Sequence, residues 1–287
     1  MGTSLKTLRQ EIGRDLRECF VGTVASAGAS NIICTALIDP DESPSLYDRA
    51  WVKIVDGEAA GDVRRVRATQ DSVQGYTPDT GMLQLSAPLS DTAVAGDEFE
   101  VHGTIDPDEL DRTINDGLER CSYLTEEELF VVAGQTEYDL SEFAWLTRQG
   151  QVVDVHWVYG STALEQQHIP LRWFNVQLGE GIVTLHIDPI GADGDTLMLV
   201  AVRPYDALED DEDETECPLE WIKAQAVWGV YNWLARGGPA KDVERYTQAF
   251  KGAAEHLMRL NRYYAPRPAR RILTPRSPLA SYSRGAP

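Results

Sequence analysis

The stretch Asp106-Pro-Asp-Glu-Leu-Asp-Arg-Thr-Ile-Asn-Asp-Gly-Leu118 lies between two long β-rich segments, and its reading decides the fold. Asp106 is placed to cap, Pro107 takes the first helical position and Glu109 stands three residues after the cap, which is the signature of a helix start. Leu110, Ile114, Leu118 and Cys121 then recur at steps of three and four. An isolated helix of this length is marginal in water, so it needs partners.

The chain offers three more helices. Upstream, Leu5, Leu8, Ile12, Leu16 and Cys19 keep the same spacing behind Ser4 as a cap, predicting a helix that ends near Phe20. Downstream, Pro218 opens a helix bearing Trp221, Ile222, Trp228, Tyr231 and Leu234, closed by Gly237-Gly238. Val243, Tyr246, Phe250, Ala253, Leu257 and Leu260 form the seam of a fourth. Between these helices the period changes. Runs at 21–26, 31–37, 50–55, 63–68, 82–87 and 98–102 predict a small antiparallel sandwich or barrel, and residues 128–204 a second β segment. Asp206 to Glu216 holds eight acids in eleven residues, which repel one another and predict a solvated linker.

These elements predict an α+β fold, a discontinuous four-helix bundle with two inserted antiparallel β modules and an extended C-terminal arm. The bundle comprises residues 1–20, 104–127 and 217–262, and the β modules 21–103 and 128–205. Residues 206–216 form the linker and 263–287 the basic arm. Leu8, Ile12, Leu16, Leu110, Ile114, Leu118, Trp221, Trp228, Tyr246, Phe250 and Leu257 are the candidate bundle or subunit packing residues.

Composition narrows the function. Of 287 residues, 43% are hydrophobic and 25% charged, the usage of a globular protein. The N-terminus lacks the apolar core of a signal peptide and no run suits a membrane span, so a protein staying where it is made, in the cytoplasm, is expected. Cys19, Cys34, Cys121 and Cys217 are scattered without zinc-ligand spacing and are expected to be reduced, with no metal or cofactor. His102, His156, His168, His186 and His256 form no paired-ligand motif, and neither a nucleophile elbow nor a phosphate-cradling glycine loop is present. No enzyme is predicted.

Charge is distributed unevenly. No acid follows Glu255, while Arg259, Arg262, Arg267, Arg270, Arg271, Arg276 and Arg284 give seven positive charges; setting these aside from the net −20 leaves −27 on the rest. Such a body repels a duplex. The arm has three readings: a plain solvated terminus, a segment that docks on an acidic protein surface through Tyr263, Tyr264, Arg267, Arg270, Arg271, Arg276, Tyr282 and Arg284, and, third, a nonspecific phosphate contact. Trp145, Trp157 and Trp173 raise a rival class, a glycan-binding or decoration protein on a virion surface, against the plainer reading that they fill a β core.

The order of elements resembles that of the head-to-tail adaptor (connector, neck) proteins of tailed double-stranded DNA bacteriophages. The resemblance rests on the Leu5–Leu16 and Asp106–Leu118 helices, the late helical hairpin with its trailing arm, Trp51-Val-Lys-Ile-Val-Asp-Gly-Glu-Ala-Ala-Gly-Asp-Val-Arg-Arg-Val66 and Ala95-Gly-Asp-Glu-Phe-Glu-Val101. It implies a homo-oligomeric ring, commonly of twelve subunits, beneath the portal in the virion neck. It further implies an arm that reaches the portal protein, a lower face that receives the next tail component, and a lumen that passes DNA without holding it. The two large β modules depart from the compact members of that family.

Overall fold

The computed structural model describes residues 2–69, 74–132, 134–148, 151–158, 166–169, 174–179, 182–187, 196–236 and 243–266. The chain forms a first unit of Met1–Tyr123 and Pro204–Ala265, and a second that contains Leu124–Arg203.

The first unit holds α1 (Leu5–Asp15), α2 (Pro107–Leu118), α3 (Leu219–Arg236) and α4 (Val243–Tyr264). Both predicted caps form: Ser4 Oγ accepts from the Thr7 N–H, and Asp106 accepts from the Asp108 N–H with Pro107 in the first turn. α1 ends five residues earlier than its apolar spacing predicts. Arg17 adopts a left-handed conformation (φ 58°) and the Glu18 N–H donates to Gly13 O, reversing the chain into a strand at Cys19. Leu5, Leu8, Ile12, Leu110, Ile114, Leu118, Trp221, Ile222 and Leu257 share one buried cluster, with Leu16, Trp228 and Tyr246 half-buried against it. Phe250 lies against Trp228, their ring centroids 5.8 Å apart.

Two four-stranded sheets complete this unit. One runs β2 (Cys19–Thr23), β9 (Glu98–His102), β5 (Trp51–Ile54), β6 (Val63–Arg65); the other runs β3 (Ser26–Gly28), β4 (Asn31–Ile33), β8 (Met82–Gln84), β7 (Tyr76–Thr77). Val52, Ile54, Phe99 and Val101 of the first sheet share a core with Ile32, Leu83 and Tyr76 of the second. A two-stranded ribbon pairs β1 (Thr3–Ser4) with β17 (Glu214–Thr215).

The second unit has its own core, which includes Leu140, Val155, Leu185, Leu197 and Leu199. One sheet orders β10 (Ser122–Phe130), β16 (Thr196–Pro204), β12 (Val152–Val158) and β13 (Gln166–His168). The other orders β11 (Glu137–Asp139), β15 (Ile182–Ile187) and β14 (Phe174–Gly179).

The expected four-helix bundle with two inserted β modules is thus corrected: seventeen strands in five antiparallel sheets, with four α-helices, organise the described residues. The reason is what covers each helix. α1 and α2 have only 11 and 12 residues, and α1 sets one flank against β2 while α4 lies along α3. Apolar spacing identifies a helix without saying whether a helix or a sheet will cover it. No described helix is long and apolar enough to cross a membrane.

In the acidic run Asp206, Glu209, Asp210, Glu212, Glu214 and Glu216 are exposed, while the half-buried Asp211 and Asp213 and the Leu208 backbone anchor it. Carbonyls of Asp213 and Asp211 accept the Leu5 and Lys6 N–H groups at the start of α1, where free donors and the helix dipole favour negative charge. Asp213 Oδ2 accepts from the N–H groups of Glu209 and Asp210, and Asn115 holds both the N–H and the carbonyl of Leu208.

Candidate functional site

The most concentrated polar chemistry in the described residues lies beneath α1, on a strand with two buried faces. In Glu98-Phe-Glu-Val-His102, Phe99 and Val101 enter the β core, so the two-residue period turns Glu98, Glu100 and His102 to the opposite face. Glu100 and His102 are nevertheless 0% exposed. Strand register places their neighbours: Cys19 on β2 and Trp51 on β5 oppose His102, while Lys53 opposes Glu100. α1 crosses closely at Gly13, where an added Cβ would stand 2.4 Å from Cys19 Cβ.

Arg9, also 0% exposed, joins the elements. Its Nε donates to Glu100 Oε2 at 2.7 Å, and Nη1 and Nη2 donate to the two oxygens of Asp211 at 2.7 and 2.8 Å. Nη1 also donates to Asp111 at 2.9 Å and Nη2 to Glu100 Oε1 at 3.3 Å. Lys53 Nζ donates to Asp111 at 2.9 Å and to Asp211 at 3.4 Å. Gln10 Nε2 donates to both Glu98 and Glu100, and Lys6 pairs with Glu98. One guanidinium thereby ties α1 to β9, α2 and the acidic loop.

Burial alone would raise the pKa of Glu100, but hydrogen bonds from His102 and Arg9 hold it at about 2. Burial likewise opposes ionisation of Asp211, yet Arg9 and then Lys53 keep its pKa below the ordinary value. The Arg9 pKa rises despite its burial because Asp211 and Glu100 bind the cation. Since Glu100 is ionised, His102 Nε2, 2.9 Å from Oε2, carries the hydrogen of that bond. His102 Nδ1 meets no hydrogen-bond partner among the described residues.

Cys19, His102 and Glu100 bring together the residue types of a thiol triad without its geometry. A triad holds its acid on the imidazole nitrogen remote from the nucleophile. Here Cys19 Sγ, at 3.9 Å, and Glu100 both face Nε2. Burial, followed by the charge of Glu100, pushes the thiol pKa up to about 12, leaving it protonated and unreactive at neutral pH. The arrangement holds charge in place and offers no activated nucleophile.

Sequence reading missed this cluster because each member looks ordinary alone. The Glu-x-Glu-x-His alternation on β9 reads as a solvated face, and Lys6, Arg9 and Gln10 read as the solvated side of α1. The two faces cover each other. Glu-x-His was the available signal, but Cys19 joins it only through strand register.

The predicted docking residues are only partly described. Tyr263 is 78% exposed, while Tyr264 stacks on Trp221 with centroids 5.9 Å apart and planes 18° apart. Trp221 Nε1 donates to Asn261 Oδ1 at 2.6 Å, fixing the end of α4 on α3. Arg267, Arg270, Arg271, Arg276, Tyr282 and Arg284 lie outside the described residues. So do Trp173 and the side chain of Trp157, whereas Trp145 has Phe143 at 5.8 Å and the Arg203 guanidinium 5.8 Å from its ring. A groove of about 430 Å³ along α2 and α3 is lined by the charged Arg112, Asp116, Arg120 and Arg236 and by Trp233, with no histidine or cysteine among its lining residues. No protein-family model and no curated protein matches the chain.

Proposed function

We propose that the chain is a non-enzymatic structural virion protein, a head-to-tail adaptor that assembles as a homo-oligomeric ring between portal and tail and lets DNA pass. The observation that carries this reading is the one-sided packing of α4. Tyr246, Leu257, Leu260 and Tyr264 pack against the helical core, while Met258 and Tyr263 remain 57% and 78% exposed. The helix leads into a segment with arginines and no acids. Arginine and tyrosine are preferred interface anchors, and an acidic body keeps a lumen from holding phosphate.

The test has two arms. Mass measurement and negative-stain micrographs of the purified chain should show closed rings. Removing residues 266–287 should abolish capture by a portal ring while leaving the far-UV helix signal intact. A monomer at micrograph concentrations, or undiminished portal capture by the truncated chain, would refute the proposal.

A further inference from the structure

We infer that Cys19, Glu100 and His102 form a binding site for a divalent cation of the zinc type. Register supplies the ligands: β2 sets Cys19 opposite His102, and the strand period brings Glu100 to the same face. Their donor atoms all lie within 4.8 Å of one another, the one such cluster of three among the described residues. His102 Nε2 is 2.9 Å from Glu100 Oε2 and 3.9 Å from Cys19 Sγ. Tetrahedral zinc with bonds of roughly 2.0–2.3 Å spaces its ligand atoms roughly 3.3–3.6 Å apart, so movements of a few tenths of an ångström close the pair of distances around Nε2.

Donor chemistry selects the metal. Thiolate and imidazole suit zinc, whereas calcium and magnesium call for oxygen ligands throughout. Charge fits as well. Arg9 and Lys53 face three carboxylates, Glu100, Asp111 and Asp211, leaving one negative charge uncompensated. A divalent cation with Cys19 as thiolate adds one positive charge.

On binding, the cation takes the place of the hydrogen between Nε2 and Oε2, and that hydrogen moves to Nδ1. The Cys19 thiol proton leaves to solvent, so one proton is released per cation. Glu100 Oε2 already accepts two hydrogen bonds, and the one from Arg9 persists as an outer-shell contact that orients the ligating carboxylate. Cys19 is the half-buried member of the three and gives the cation its way in.

The test uses the full chain, stripped with a chelator and dialysed against zinc or cobalt chloride. We expect one zinc per chain by elemental analysis, and a thiolate-to-cobalt charge-transfer band with the visible bands of tetrahedral cobalt. Cys19→Ser, a conservative change at a half-buried position, should keep the far-UV spectrum and abolish the charge-transfer band. It should also weaken zinc binding by more than the roughly 10–100-fold that loss of an outer-shell partner costs. His102→Gln should weaken binding likewise. Substoichiometric zinc, a cobalt spectrum without the thiolate band, or an unchanged affinity in Cys19→Ser would overturn the assignment.

Discussion

Replacing Arg9 with methionine tests whether the buried charge cluster holds the first unit together. The side chain keeps much of its length but loses every donor, so Glu100, with no exposure, is left with His102 and Gln10. Asp111 and Asp211, whose side chains are 15% and 23% exposed, rehydrate in part and keep Lys53. Breaking a buried pair by removing one partner costs about 3–5 kcal/mol. The depression of Glu100 from 4.5 to about 2 corresponds to roughly 3 kcal/mol at neutral pH. Part of that belongs to His102 and part of the Asp111 and Asp211 contribution is screened, so the expected loss is about 3 kcal/mol, the lower end of the range.

Urea unfolding of the full chain, followed by far-UV ellipticity, reports on this unit because all four described α-helices belong to it. A loss below about 1 kcal/mol would refute the reasoning, since such a small effect belongs to a screened surface pair. The double variant Arg9→Met with Glu100→Leu gives an independent check. Removing both charges removes the unpaired-carboxylate penalty, so the double variant should be more stable than Arg9→Met alone.

The other expectations concern the same region. Asp211 has a depressed pKa, so its contribution is present above the ordinary value of 3.8 and is lost as pH falls through its lower folded value. Asp211→Asn should therefore flatten the acid limb of a stability-versus-pH curve, and an acid limb as steep as that of the unaltered protein would contradict this. Gly13→Ala should destabilise by about 1–3 kcal/mol through the clash with Cys19, overriding a helix-propensity gain of about 1 kcal/mol; a raised melting temperature would show the close approach to be wrong. Alkylation at neutral pH should be slow for all four thiols of the metal-free folded chain, because Cys34, Cys121 and Cys217 are buried and Cys19 is held protonated. Mass spectrometry that finds a rapidly labelled native thiol would disprove that reading.

Local signals in the sequence translate directly into structure where neighbours along the chain decide the outcome. Ser4 and Asp106 cap as their positions predict, and Leu8, Ile12, Leu110, Ile114 and Leu118 are buried as their spacing predicts. What spacing leaves open is the identity of the covering surface. Arg9 lies 91 residues from Glu100 and 202 from Asp211, so its partners follow from the path of the whole chain. Polar residues that cover one another also look, residue by residue, like polar residues facing water. That ambiguity hid the charge cluster and made the helices look self-sufficient.

Self-sufficiency can be tested by excision. If the helices formed a bundle with β segments merely inserted, replacing residues 21–103 with a short glycine linker would leave a folded helical remnant. The observed contacts predict the opposite. Excision removes Glu98 and Glu100, which bind Lys6, Arg9 and Gln10, and it removes Lys53, which shares Asp111 and Asp211 with Arg9. It also removes residues 21–23 of β2, against which one flank of α1 lies, and β9, the strand that pairs with β2. An 11-residue helix cannot hold itself in water once it loses these partners, and α2 would then expose the apolar stripe that α1 covers. The helix signal of the shortened chain, which comes from the first unit, should be reduced and should melt without a cooperative transition. A sharp transition with the full helix signal would show that the sheet adds little, and would overturn the argument that a sheet sharing a buried charge cluster with a helix belongs to the same folding unit.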